Sequence, residues 1–317
     1  MTEKTLKDRK SIGVLLAAVG VILFSSKAIW VKKAYQFEAD PLNLLFIRMV
    51  FALPVYIIIA VLSSWNKKEN DRLTRKQIIA LTLLGLGGYY LSSFLDFTGL
   101  RYITASLERL ILFVYPTLVV LISAVVFRQQ VPRRQIWAIA VTYLGILLVF
   151  YEDAGVQDSV HKWLGPLLIF GCSLTYASYL VGSGQLIPKI GSVRFTSYAM
   201  IVSTGAVMLH TVIAGNIKIF HYSYDVYEMG IGLAVIATIL PSFMISEAIR
   251  RLGASSVAII GSIGPVSTII LASIFLGERL NTLQWLGAVI VISGVVMVNI
   301  EKNKKAISGN KTKRMAA

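Results

Sequence analysis

A chain of 317 residues that is 56% hydrophobic and only 15% charged, with a mean hydropathy of +0.71, has too little charge to cover a soluble surface. Its net charge of +15 fits a nucleic-acid binder in principle. The Lys and Arg residues, however, lie in short loops and tails between apolar runs, where the positive-inside rule places them, so no nucleic-acid partner is expected.

The first apolar run, 12–31, follows a basic start of Lys4, Lys7, Arg9 and Lys10. It is too long for a signal-peptide core and lacks a small-residue cleavage site, so it reads as a retained first span. Nine further runs follow at about 42–63, 78–98, 103–127, 134–151, 163–181, 195–214, 228–248, 254–276 and 283–300. Each is near the length that crosses a bilayer. The predicted fold class is an all-α polytopic membrane protein of ten transmembrane helices. The polar stretches of any size are 65–77, 152–162, 215–227 and the tail from Glu301, which leave no room for an extramembrane domain. The basic tail 301–317 reads as a topology anchor followed by disorder. Cys172 is the sole cysteine and forms no intrachain disulfide.

Charge sets the orientation. With the N-terminus inside, six Lys and Arg fall outside: Lys32, Lys33, Arg101, Lys162, Lys218 and Arg279. Lys27, Arg48 and Arg109 lie within apolar runs, and the other 22 of the 31 fall inside. This bias predicts a multi-pass protein of the cell inner (plasma) membrane with both termini cytoplasmic.

Sliding the chain against itself by 149 residues aligns its two halves without a gap over the fourth and fifth runs. Leu100-Arg101-Tyr102-Ile103-Thr104-Ala105-Ser106 lies over Ile249-Arg250-Arg251-Leu252-Gly253-Ala254-Ser255. Pro116 meets Pro265, Gln135 meets Gln284, Gly145 meets Gly294, and Phe94 meets Phe243. Coinciding Pro, Gln and Gly argue for duplication over shared composition. Each half holds five spans, an odd number, so the second half enters the membrane from the opposite side. The expected organisation is therefore two inverted five-helix repeats, 12–151 and 163–300, joined by an external linker, 152–162. Secondary transporters of this architecture place their substrate near the repeat interface.

The second half carries Ala254-Ser255-Ser256-Val257, Gly264-Pro265-Val266, Phe275-Leu276-Gly277-Glu278-Arg279-Leu280 and Gln284-Trp285-Leu286-Gly287. These resemble the closing motif of an EamA domain, which places the chain with the drug/metabolite transporter superfamily. The resemblance covers both halves, although Arg128-Gln129-Gln130 stands where the second half has Gly-Glu-x. It implies a ten-helix carrier with cytoplasmic ends that exports amino acids, drugs or other small metabolites. It also implies a central cavity lined by the first, third, fourth, sixth, eighth and ninth helices.

Five charges interrupt the apolar runs of the first half: Lys27, Arg48, Asp96, Glu108 and Arg109. Each costs about 3 kcal/mol at mid-membrane on insertion scales. At 1.5 Å per residue all five fall within roughly 3–9 Å of the outer boundary, where they can pair and leave one positive charge over. The offset equivalents are Tyr176, Ser197, Ile245, Val257 and Ala258, so the set is one-sided. One reading is a structural ion cluster, with Lys27 and Arg48 snorkelling to headgroups. The other has Asp96 and Glu108 titrating protons, as coupling ion, or holding an amine, while Arg109, Lys27 or Arg48 holds a carboxylate or phosphate. Both signs of charge suit an amphoteric substrate. On the fourth run Glu108, Leu112 and Tyr115 share a face, with Arg109 turned about 100° away. Opposite lie Gly261, Ser262 and Gly264, small residues that either pack closely or leave room for a ligand. Pro116 and Pro265 are candidate hinges or static kinks.

The expected function is thus a secondary-active exporter of a small polar or amphoteric metabolite, working by alternating access in the lipid bilayer. The main rivals are an intramembrane enzyme and a channel. Gly261-Ser262-Ile263-Gly264 lacks the spacing of a serine-nucleophile turn, and there is no metal-spaced cluster, phosphate loop or cofactor motif. A channel needs neither a duplication nor mid-span prolines.

Overall fold

A computed structural model describes residues 3–65, 73–128, 163–215, 220–261 and 263–293, together with 133, 136–137, 140–141 and 143–145. Among these residues every regular element is helical, and eight helices are long and apolar enough to cross a membrane by length and composition. In sequence order they are the first (Lys10–Gln36), second (Pro41–Ser63), third (Arg75–Leu100) and fourth (Ala105–Val126) spans. The sixth (Leu164–Ile190), seventh (Ser192–Ile213), eighth (Tyr224–Leu252) and ninth (Ala254–Leu276) follow. The expected fifth span, 134–151, falls largely outside the described residues, as do the linker 152–162 and the tail 301–317. The expected tenth appears as the helix Thr282–Ser293.

The sixth span departs most from expectation, running nine residues past 181. Gly182-Ser183-Gly184-Gln185 reads as a helix end by composition, yet it is a packing surface. Ser183 donates its hydroxyl to the Leu180 carbonyl at 3.1 Å. A Cβ on Gly182 would collide with Leu84 of the third span, so the glycine is what lets the two helices approach.

The second span lies along the seventh and the first along the eighth, while the third packs on the sixth and seventh. The fourth is the most enclosed, with 72% of its 18-residue window buried, and touches the sixth and ninth. A helix buried over most of its circumference belongs at the centre of a bundle. Leu62, Leu83, Leu167, Leu209, Ile213 and Ile274 are by contrast exposed, forming an outward face that hydrocarbon solvates and water does not.

The helix breaks follow the sequence offset. In the third span Arg75–Gly85 runs into a π-turn beginning at Leu86; in the eighth, Tyr224–Ala234 runs into one beginning at Val235. Those boundaries are 149 residues apart. The fourth span breaks into Ala105–Leu112 and Tyr115–Val126, and the ninth into Ala254–Ile260 and Ile263–Leu276, matching to within one residue. Pro116 and Pro265 each sit in the first turn of the second piece, where the missing N–H has no helical partner to lose. The π-turn of the eighth span offsets a carbonyl, and Thr238 supplies a hydroxyl to the Leu233 oxygen at 2.7 Å. Even the departure from the closing motif keeps its backbone. Gly277 has φ 68°, and Arg128, at the equivalent position, holds φ 51° in the left-handed region that glycine enters freely.

Connections between alternate spans meet at opposite ends. At one end Arg101 lies 3.8 Å from Asp40, and the Asp40 N–H donates to the Tyr222 hydroxyl at 3.1 Å, joining the 1–2, 3–4 and 7–8 connections. At the other end Ser192 donates to Glu247 at 2.7 Å, joining the 6–7 and 8–9 connections.

Candidate functional site

The buried charged side chains among the described residues are Lys27, Arg48, Asp96, Glu108 and Arg109, the five that interrupt the apolar runs. The first span breaks at Ser26, whose hydroxyl bonds back to the Leu23 carbonyl at 2.7 Å. Lys27 opens the next piece and points inward. Its Nζ lies 2.6 Å from Asp96 Oδ2 and 3.4 Å from Glu108 Oε1. One ammonium thus bridges the third and fourth spans, and the ring of Phe24 covers it at 5.0 Å.

The chain neighbours Glu108 and Arg109 part company. Glu108 faces Lys27, while Arg109 turns to the first and ninth spans. Its Nη2 donates to the Ser25 hydroxyl at 3.1 Å, and its guanidinium fills the space where a Cβ on Gly264 would stand. Tyr115 behaves similarly: its hydroxyl occupies the space a Cβ on Gly261 would need, and its ring packs at 5.2 Å on Tyr176. The small residues of the ninth span therefore receive side chains of the fourth. Ser262 lies outside the described residues.

Arg48 stands apart. Its guanidinium lies 5.3 Å over the ring of Phe97, and its Nε and Nη1 have no hydrogen-bond acceptor. Glu108 Oε2 and Asp96 Oδ1 likewise have no donor. The cluster is charged, buried and only partly hydrogen-bonded by the protein, an arrangement that fold stability alone disfavours.

Lys27, Arg48 and Asp96 line a narrow cavity of about 40 Å³, enough for one or two waters. Its wall has a pattern. Lys27 and Tyr176, Tyr89 and Thr238, Ser93 and Ser242, and Asp96 and Ile245 all line it, and the members of each pair stand 149 residues apart. The cavity is thus built from equivalent positions of the two halves, with charge in one member only. The second span contributes Arg48, which the family resemblance does not lead one to expect, and no described ninth-span residue reaches the wall.

Two further features of this region are not evident from the sequence. Tyr89 and Tyr179 share a hydroxyl hydrogen bond of 2.8 Å across the wall. Glu278 accepts hydrogen bonds from the N–H groups of Ala105 (2.9 Å) and Ser106 (3.0 Å) and from the Ser106 hydroxyl (2.7 Å). It caps the helix that carries Glu108, one turn away, and ties the 9–10 connection to the 3–4 connection. The Gly277-Glu278 motif was the available signal, but nothing local names its partner. Glu247, by contrast, is held as its spacing requires, by Arg250 and Arg251 at 2.5 and 2.6 Å. His210 accepts or donates one bond with Tyr90 at 3.0 Å and packs on Phe94.

The model of the EamA-like transporter family matches residues 11–151 and 163–300. Among relatives, the Bacillus subtilis (strain 168) protein named uncharacterized transporter YcbK is 31% identical over 92% of this chain and 95% of its own length. The protein named uncharacterized transporter YyaM, from the same organism, is 22% identical over 90% and 93%. A solved crystal structure superposes with a TM-score of 0.66 over 91% of this chain and 96% of its own, at 13% identity, a likeness of fold alone.

Proposed function

The chain belongs to the EamA-like transporter family and is a multi-pass membrane transporter; we propose that it is a secondary-active exporter of a small polar or amphoteric metabolite. The observation that carries this reading is the cavity wall, paired at an offset of 149 residues and charged on one side. Ten spans in two inverted repeats account for that pairing, and the matching breaks of the third with the eighth and the fourth with the ninth spans support it. Two nearly equivalent halves around one site can pack in two ways, each open to one face, which is what alternating access requires. The charge bias of the loops supports a reading in which both termini lie on the cytoplasmic side of the inner membrane. The meeting of the 1–2, 3–4, 7–8 and 9–10 connections at one end is consistent with that sidedness.

Within the site, Asp96 and Glu108 share one ammonium while two of their oxygens remain open. Protonation of either carboxyl would loosen Lys27 from it, so the same pair couples proton movement to the state of the site. The test is transport in proteoliposomes under an imposed pH gradient, with substrates drawn from the metabolites that accumulate in cells lacking the protein. Saturable, gradient-driven movement is expected. A flux that never saturates and needs no gradient sinks the carrier reading.

A further inference from the structure

Resting on that reading, we infer that Arg48 seats the acidic group of the substrate, and that the substrate is a small organic acid carrying net negative charge rather than a zwitterion or an amine. Lys27 is engaged by two carboxylates, Asp96 and Glu108. That trio carries one negative charge in excess, against two further cations, Arg109, bonded to Ser25, and Arg48. The cluster thus has one positive charge over, and of the two cations Arg48 is the one that lines the cavity.

It is 2% exposed and faces the cavity. The face of Phe97 lies 5.3 Å from its guanidinium, which it steadies without accepting any of its N–H bonds in the plane. Two donors, Nε and Nη1, are therefore buried and unused. A guanidinium with free donors is complementary to a carboxylate or phosphate, which it binds through charge-assisted hydrogen bonds. Snorkelling to headgroups does not describe a side chain enclosed this way and turned to an internal cavity.

Charge balance then separates the substrate classes. The five buried charges sum to one positive. A bound monoanion makes the closed site neutral, a zwitterion leaves the excess in place, and an amine doubles it. Closing a site in low dielectric favours the neutral sum. The remaining wall, Tyr89, Tyr176 and Tyr179 with Ser93, offers aromatic faces and hydroxyls for the body of such an acid. The cavity is smaller than any such body, so binding accompanies an opening of the bundle.

The experiment uses the purified whole chain and skeleton-matched probes: monocarboxylates from acetate to 3-phenylpropionate, the corresponding α-amino acids, the corresponding primary amines, and methyl phosphate. Binding is read from the concentration dependence of the unfolding temperature, for wild type, Arg48→Gln and Arg48→Lys. The expected result is saturable stabilisation of wild type by acids above their amino-acid and amine counterparts. Arg48→Gln should lose at least about tenfold in acid affinity, with part recovered in Arg48→Lys, which keeps the charge without the guanidinium. Tighter binding of methyl phosphate than of acetate assigns the acidic group as phosphate, and the reverse as carboxylate. Should Arg48→Gln fail to fold, Arg48→Lys weakening acids but not amines upholds the assignment. Amino acids or amines binding as tightly as the acids, acids binding Arg48→Gln undiminished, or no probe binding wild type would each overturn it. Counterflow of the bound probe in proteoliposomes separates the two readings. Acid binding through Arg48 without counterflow keeps this site and sinks the transporter mechanism, while saturable counterflow of amines alone does the opposite.

Discussion

Glu278 and Ser106 come from opposite halves of the chain, yet the carboxylate of one accepts both the N–H and the hydroxyl of the other, at 3.0 and 2.7 Å. A third bond, from the Ala105 N–H, completes a cap on the helix bearing Glu108. Beside it opens a vestibule lined by Lys32, Tyr35, Arg101 and Glu278. The contact closes that end of the bundle between two connections that must separate if substrate is to pass there.

Removing the cap should loosen that end before it unfolds the protein. Glu278→Ala is expected to cost about 1 kcal/mol of stability, the usual value of a helix cap. It should also expose the start of the fourth span. With Cys172 buried and unreactive, a cysteine at Ala105 reports that opening to a membrane-impermeant maleimide. Faster labelling in Glu278→Ala than in the Ala105→Cys parent is the expected outcome, and equal labelling refutes the latch.

Glu108→Gln tests the charged cluster directly. Its carboxylate lies behind Lys27, which keeps its closer contact with Asp96, so folding and expression should stay near wild type. Transport driven by a pH gradient in proteoliposomes should fall by at least about tenfold if the carboxyl takes part in general proton transfer. Unchanged transport assigns the cluster to structure.

The Lys27–Asp96 pair should show strong coupling. Lys27→Met or Asp96→Asn alone leaves a buried charge with a weaker partner, a loss of about 3–5 kcal/mol in comparable buried pairs. The double variant should be less destabilised than the two singles together, by about 0.5–3 kcal/mol. Thermal unfolding of the four proteins in one detergent measures the cycle, and strict additivity would show that the contact contributes nothing.

Gly261 and Tyr115 make a rescue experiment. An alanine methyl at 261 meets the Tyr115 hydroxyl, so Gly261→Ala should destabilise by about 1–3 kcal/mol as overpacking does. Tyr115→Phe removes the obstructing oxygen and should restore most of the loss. Failure of the rescue would mean that the Ala258 carbonyl, 2.9 Å from the added methyl, is the obstruction that counts.

How much of this was legible beforehand follows from the kind of signal. A charge inside an apolar run is conspicuous whatever it contacts, so Lys27, Arg48, Asp96, Glu108 and Arg109 could be read as the buried set. Their partners could not. Helical geometry turns Arg109 away from Glu108, but only tertiary packing delivers it to Ser25 and Gly264. Depth along a span gave no hint that Arg48 would end without an acceptor. The match between the halves was visible where Pro, Gln and Gly coincide, in the fourth and fifth runs against the ninth and tenth. The π-turns of the third and eighth share almost no residues, Leu86-Gly87-Gly88-Tyr89 against Val235-Ile236-Ala237-Thr238, so only the backbone reveals them. The sixth span was read short because glycine and serine mark a helix end in water and a close helix contact in a bundle.

The joints of this bundle come in pairs, and its charges do not. Two states related by exchange of equivalent halves would be equal in energy if the halves were identical. Here Tyr176 stands in the wall as the equivalent of Lys27, and Ile245 as that of Asp96, so such an exchange would change which side chains are packed and which are wetted. Under the alternating access proposed above, the empty protein would therefore have a preferred resting side. That preference would work as a rectifier: the same gradient would drive faster net flow in one direction than in the other.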